Sequence, residues 1–103
     1  MDTKAKVLDI AMNLSRIGNW AADGYDLKKE RILVFLDNTN QYIQDLEKTT
    51  LPSQFKDTFN LFLKKYKILE KNGIKGPTDS DKWAEEMMTW GNILTHRSKL
   101  LNT

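Results

Sequence analysis

The chain has 103 residues, a formal net charge of +2 and no cysteine. This length fits a single domain over residues 1–103, and a hydrophobic fraction of 40% is enough for a core, which excludes a chain that is disordered throughout. The absence of cysteine excludes disulfides, thiolate catalysis and zinc–thiolate sites, and the nearly balanced charge gives little attraction to nucleic acid or anionic membranes.

Two amphipathic runs at the start of the chain predict two helices. Apolar residues recur there at steps of three and four, which predicts helices over residues 4–22 and 26–48. Asp2 or Thr3 is available to cap the first helix. Asp23-Gly24 separates the two runs, because glycine tolerates the left-handed conformation that ends helices.

A third run, over residues 52–72, holds three of the four phenylalanines. Pro52 suits the first turn of a helix. The spacing of five large apolar residues places them along one side: Phe55, Phe59, Phe62, Tyr66 and Leu69. Aromatic side chains bury the most area, so the rest of the chain is expected to pack around this run. Gly73 is predicted to end the helix in a Schellman motif, with Ile74 contacting Leu69.

A fourth run predicts a helix over residues 79–101, with Thr78 as its cap and Asp81 in capping-box position. Its apolar side carries Trp83, Met87, Trp90, Leu94 and Leu101. No segment alternates like a strand over any length. Four helices of similar length with short connections predict an all-α fold, an antiparallel up-down-up-down four-helix bundle.

Some apolar residues fall outside the predicted core sides of these helices. They occur in pairs seven residues apart on the second, third and fourth runs: Leu27 and Val34, Leu61 and Ile68, and Ile93 and Leu100. Each pair makes a short seam. We interpret them as a partner surface, either of a homodimer or of an adaptor that binds another helical protein. The alternative is that a wide core buries them, because helix facing angles differ from those assumed here.

His96 is the only histidine, and Lys99 follows it by three residues. An exposed histidine with this spacing, in a four-helix bundle of this size, resembles a histidine phosphotransfer domain. The resemblance implies that His96 accepts a phosphoryl group. The alternative is a surface histidine that interacts favourably with the C-terminus of a helix.

Lys64, Lys67 and Lys71 project from one side of the third run. Such a basic face contacts phosphates in nucleic-acid-binding proteins, but it is also typical of an ordinary solvated helix surface, and the nearly neutral total charge favours the second interpretation.

Catalytic and metal-binding patterns are missing from the sequence. No glutamate stands three residues before His96, as a di-iron bundle requires, and there is no nucleophile elbow or Gly-rich phosphate loop. We therefore predict a non-enzymatic protein without a cofactor or metal. No apolar run is long enough to span a membrane, and the amphipathic start does not resemble a secretory signal, so cytoplasmic location is the default expectation.

Overall fold

The computed structural model describes residues 2–101 of the chain. These residues form three α-helices, α1 (Thr3–Glu47), α2 (Ser53–Lys75) and α3 (Ser80–Arg97), and a single turn of 3-10 helix, Ser98–Leu100, follows α3 directly. No strand occurs in this part of the chain, so the all-α prediction is confirmed.

Helix α1 covers both runs that the sequence predicted as separate helices over residues 4–22 and 26–48. Its helical backbone is interrupted at one residue, Gly24, where φ is 159° and ψ is 94°. A straight helix of 45 residues would be about 68 Å long at 1.5 Å per residue, whereas the longest dimension of the molecule is 38 Å. The chain therefore folds back at Gly24, and we refer to residues 3–23 and 25–47 as the first and second parts of α1.

Direct contacts hold these two parts of α1 side by side. The Asn13 amide donates to the Thr39 hydroxyl at 3.3 Å in the buried interior. Trp20 packs edge-on against Phe35, with 4.8 Å between the ring centroids, and the Arg31 guanidinium lies over the Trp20 ring. This buried hydrogen bond fixes the register of the two parts, because a shift along the axis would leave the Asn13 amide without its partner, whereas the Thr39 hydroxyl would still donate to the Phe35 carbonyl.

The aromatic side of α2 forms the centre of the core, as the spacing predicted. Its five predicted residues are all buried: Phe55, Phe59, Phe62, Tyr66 and Leu69. The Tyr66 hydroxyl donates to the Leu36 carbonyl at 3.0 Å, so its polar end is satisfied on the second part of α1. The core thus joins α2 to α1 through apolar contacts and a buried hydrogen bond.

The predicted end of the third helix at residue 72 is wrong. Helix α2 continues through Gly73 to Lys75, and the residue with the left-handed φ of 100° is Gly76, whose N–H donates to the Asn72 carbonyl. Ile74, which was expected to contact Leu69, is 57% exposed. Gly73 is instead a buried helical residue whose carbonyl accepts a hydrogen bond from the Tyr25 hydroxyl.

The predicted bounds of the last helix, residues 79–101, also need correction. The cap of α3 is Asp79 rather than Thr78, because the Asp79 carboxylate accepts from the Lys82 N–H at 3.1 Å. At the other end α3 stops at Arg97 and tightens into the 3-10 turn, where the Ser98 hydroxyl donates to the Thr95 carbonyl. The Asp2 cap of α1 is confirmed, with the Ala5 N–H donating to its carboxylate at 2.7 Å.

Helix α3 lies very close to the first part of α1, because glycines occupy the contact. A Cβ atom on Gly18 would lie 2.9 Å from the Ala84 carbonyl oxygen, and one on Gly91 would lie 3.0 Å from the Ala11 carbonyl oxygen. Both distances are too short for any larger residue without movement of the helices. The side of α3 that carries Ala84 and Gly91 is therefore packed against the first part of α1, and the opposite side of α3 faces α2 and solvent.

Candidate interaction groove

A groove of about 470 Å³ runs between α2 and α3 on the surface of the molecule. Its lining combines apolar and polar side chains: Thr58, Leu61, Trp90, Asn92, Ile93, His96 and Arg97. We call it the α2–α3 groove. Leu61 is 51% exposed there, and Trp90 and Ile93 are partly exposed. An apolar strip at the centre of this surface is therefore left without a covering side chain from residues 2–101.

The core holds the floor of the α2–α3 groove in place. Phe62 is fully buried, and the Trp90 ring packs against it with 5.7 Å between ring centroids. Leu61 precedes Phe62 and is turned about 100° around α2, which places it at the margin of the buried face. Ile93 follows Trp90 by three residues on the same side of α3. The apolar strip is thus part of a rigid surface rather than of a loop.

Charges lie at both ends of this strip along α3. Arg97 and His96 are exposed at the C-terminal end of the groove, and Glu85 and Glu86 are exposed about one helical turn before Trp90. Within residues 2–101 the one ion pair joins Lys28 to Asp23, far from these groups in sequence. Along the exposed side of α3, two carboxylates with Lys82 beside them therefore precede the apolar strip, and the Arg97 guanidinium follows it.

A second groove of about 350 Å³ lies further along the same two helices, beside the loop that joins them. It includes Ile68 and three lysines, Lys65, Lys75 and Lys82, together with the acids Asp79 and Glu86. Lysines and carboxylates are mixed around its rim. This groove has neither the continuous apolar floor nor the separated charges of the α2–α3 groove.

The six predicted partner residues do not all meet on one surface. Leu61 and Ile93 line the α2–α3 groove together, and Ile68 lines the neighbouring one. Leu27, 89% exposed, and Val34, 58% exposed, lie on the second part of α1, on the side of that helix opposite its buried residues.

Leu100, the sixth of these residues, belongs to the 3-10 turn and lines neither groove. Trp90 was predicted to lie in the core, and Arg97 was not predicted at a partner surface, although both line the α2–α3 groove.

His96 is exposed and lies one residue before the end of α3, on the rim of the α2–α3 groove. Lys99, its partner in the phosphotransfer-like pattern, lies in the 3-10 turn, so the two residues do not share one continuous α-helix. His96 therefore lies on the groove that contains Leu61 and Ile93. The continuous α-helix that the phosphotransfer-like pattern requires for His96 and Lys99 is not present.

The predicted basic face of α2 is exposed. Lys64, Lys67 and Lys71 are all exposed on the side of the helix opposite its buried aromatic residues. The phenylalanine and tyrosine rings of α2 are committed to the core, and none of them lies among these lysines to stack on a base.

Two tyrosines in the core have a shifted pKa, and the acidic side chains within residues 2–101 form no metal-binding cluster. No three histidine, aspartate or glutamate side chains in this range converge to hold a metal ion. Burial raises the pKa of the Tyr66 and Tyr25 hydroxyls, but both hydroxyls donate to backbone carbonyls inside the core, where they support the fold. None of the helices in the described range is long and apolar enough to cross a membrane.

The chain was compared with models of protein families, with curated proteins and with solved structures, and it matches none of them. Fold and surface together define an all-α protein that presents an apolar groove between two helices, with opposite charges toward its ends.

Proposed function

We propose that the protein is a small non-enzymatic interaction module whose α2–α3 groove binds a helical surface. The observation that carries this proposal is the exposed Leu61 beside Trp90 and Ile93, on a floor held rigid by the core. An apolar centre with a polar rim is the usual anatomy of a protein interface, and tryptophan and arginine are enriched where binding energy concentrates. The bound surface belongs to a second copy or to another helical protein.

The architecture that we propose for this module is the up-down-up-down four-helix bundle. The two parts of α1 act as separate antiparallel helices in this proposal, which is supported by the fold-back at Gly24 and by the Asn13–Thr39 pair. The α2–α3 groove is then the outer cleft between the third and fourth helices. Helical bundles present such clefts to partner helices, whose apolar side chains fill them.

Two other functions receive less support from the positions of their residues. Phosphotransfer through His96 is weakened by the position of Lys99 outside α3. Phosphotransfer would be supported if a phosphodonor labels the wild-type protein and this labelling is lost in His96→Ala. Nucleic-acid binding through Lys64, Lys67 and Lys71 lacks exposed rings on that face of α2 and predicts an affinity that falls steeply with salt.

The groove proposal is tested with a pair of matched variants. Leu61→Asp places a carboxylate on the apolar strip, and Val34→Asp makes a similar change at a comparably exposed position on the outer side of α1. Both side chains are more than half exposed, so circular dichroism should show the wild-type helical content for both variants. We expect Leu61→Asp to weaken association about ten-fold or more, and Val34→Asp to leave it unchanged.

Association is measured in two ways, because the partner is either a second copy or another protein. Sedimentation velocity over a concentration series reports self-association. Recovery of partners on the tagged protein, quantified for wild type and both variants in parallel, reports binding to other proteins. If no association depends on Leu61, the proposal is wrong. If Val34→Asp alone disrupts it, the interface lies on the outer side of α1.

A further inference from the structure

We infer that the α2–α3 groove is covered by the same groove of a second copy, with the two α3 helices packed antiparallel across a two-fold axis. This inference rests on the proposed function and deepens it, because it names the occupant of the groove and its orientation. It follows from the order of residues along the exposed side of α3 and from the charges that have no partner within residues 2–101.

The exposed side of α3 is self-complementary when it is reversed. Glu86 lies as far before the midpoint of Gly91 and Asn92 as Arg97 lies after it, and Trp90 and Ile93 flank the same midpoint equally. A two-fold axis at this level brings Glu86 of one copy to Arg97 of the other, and Trp90 to Ile93. Eleven residues of helix span about 16 Å, so the two charge pairs lie symmetrically at either end of the apolar contact.

The neighbouring charges strengthen the preference for an antiparallel pair. Glu85 adds a second exposed carboxylate at the same end of α3 as Glu86, about 100° around the helix from it. A parallel pair would instead place acids beside acids and Arg97 beside Arg97, and like charges across an interface disfavour association. The charge order therefore selects the antiparallel orientation.

A second copy also satisfies both ends of the groove at once. A uniformly acidic partner helix would be repelled by Glu85 and Glu86 at one end of the groove. A uniformly basic partner helix would be repelled by Arg97 at the other end. A two-fold interface is built from one surface used twice, so each attractive pair is formed twice. Leu61 widens the apolar centre from the α2 side, where it shares the groove with Ile93.

Charge reversal with complementation tests this arrangement. Glu86→Arg places two arginines opposite each other at both ends of the pair, and Arg97→Glu places two glutamates there. Each single variant is expected to dimerise about ten-fold or more weakly than wild type, since two attractive pairs become repulsive. In an equimolar mixture of the two single variants, one copy carries arginine at both positions and the other carries glutamate at both. Both charge pairs are then attractive, so the mixture is expected to form heterodimers. The double variant, E86R with R97E, is expected to recover the homodimer.

Controls separate pairing from effects on the helix itself. Arg97→Glu introduces a negative charge at the C-terminus of α3, which is unfavourable to the helix dipole, so thermal unfolding is followed for every variant. The double variant carries the same unfavourable charge but restores the pairing. Glu30→Arg, at an exposed position on α1, repeats the reversal away from the groove and is expected to leave the dimer unchanged.

The outcomes are measured by sedimentation velocity and distinguish this inference from the proposed function. A wild-type monomer at all concentrations overturns the inference, while groove-dependent binding of another protein would leave the proposed function standing. A wild-type dimer that Leu61→Asp weakens, but that charge reversal does not, overturns the antiparallel arrangement alone. A wild-type dimer that Leu61→Asp leaves unchanged overturns the inference, and it overturns the proposed function as well if the binding of other proteins is also independent of Leu61. Weakened single variants with recovery in the mixture support the inference.

Discussion

Replacement of Gly73 by alanine tests how the helices pack at the base of the core. Gly73 is buried inside α2, and a Cβ atom there would lie 2.6 Å from Cζ2 of Trp83 and 3.2 Å from Cδ1 of Leu36. The Trp83 ring has little freedom to move, because its N–H donates to the Leu69 carbonyl at 2.8 Å and the ring packs edge-to-face against Tyr25. The added methyl group therefore meets a fixed ring.

Two opposing effects determine how much Gly73→Ala changes the free energy of unfolding. Alanine favours a helix interior over glycine by about 1 kcal/mol. Overpacking a dense core costs about 1–3 kcal/mol, and a 2.6 Å approach to a constrained ring lies at the upper end of that range. We expect Gly73→Ala to lower the free energy of unfolding by about 1–2 kcal/mol. Asn72→Ala, at the exposed neighbouring position, has no such contact and is expected to raise it by a few tenths of a kcal/mol.

Urea unfolding followed by far-ultraviolet circular dichroism measures these changes, since the slope of the transition also shows whether the native state is intact. A double-mutant cycle that combines Gly73→Ala with Trp83→Phe shows whether the Trp83 ring causes the loss of stability. If Gly73→Ala acts through the Trp83 ring, its cost should largely disappear in the Trp83→Phe background, with a coupling of about 1 kcal/mol or more. Gly73→Ala that is as stable as wild type, or a cost that persists without the Trp83 ring, would refute this explanation.

Three further predictions concern the interior and the α2–α3 loop. Tyr66→Phe removes the hydrogen bond to the Leu36 carbonyl and should cost about 1 kcal/mol in urea unfolding. Burial raises the pKa of Tyr66, so the unfolded chain loses this proton at a lower pH than the folded protein does. The free energy of unfolding should therefore fall as pH rises above about 10, and it should fall less steeply in Tyr66→Phe. Thr39→Val leaves the Asn13 amide unpaired and should cost about 1–3 kcal/mol, whereas adding Asn13→Leu should recover most of the loss. Gly76→Ala should lower the melting temperature by the equivalent of about 1 kcal/mol, because φ is 100° there.

The helical segments were largely predictable, because local spacing determines which side of a helix is apolar. The aromatic side of α2 is the clearest case, since all five predicted residues are buried. The end of that helix was not predictable, because Gly73 and Gly76 are both plausible stop signals only three residues apart. Gly73 stays helical because Trp83 and Tyr25 pack against it, and both residues lie on other helices. A contact of that kind leaves no signal in the local sequence.

The break in α1 was also only partly predictable from the local sequence. Asp23-Gly24 was expected to separate two helices, yet Gly24 alone departs from helical dihedral angles and helical geometry resumes beside it. The sequence pattern located the reversal, but the number of residues in the turn depends on how the two parts meet. The Asn13–Thr39 and Trp20–Phe35 contacts set that distance, and they join residues that are far apart in sequence.

The candidate site was predictable in some of its residues, Leu61 and Ile93, but not in the grouping of its lining. Leu61 and Val34 were both expected outside the core from helix facing alone, and both are exposed. Which exposed residues share a surface depends on how the helices are arranged, and that arrangement unites Leu61 with Ile93. Trp90 was assigned to the core because its spacing suits an apolar stripe, whereas it lies at the edge of that stripe and forms the floor of the groove.

The most direct test of the central claim is a concentration series of nuclear magnetic resonance spectra of the wild-type protein, which shows which residues change environment on association. We predict shifts or broadening for the amide signals of Leu61, Ile93 and Arg97 and for the Trp90 indole N–H. The Trp20 and Trp83 indole signals, which lie away from the groove lining, serve as internal references. Spectra that do not change with concentration, or changes confined to Leu27 and Val34, would contradict self-association through the α2–α3 groove.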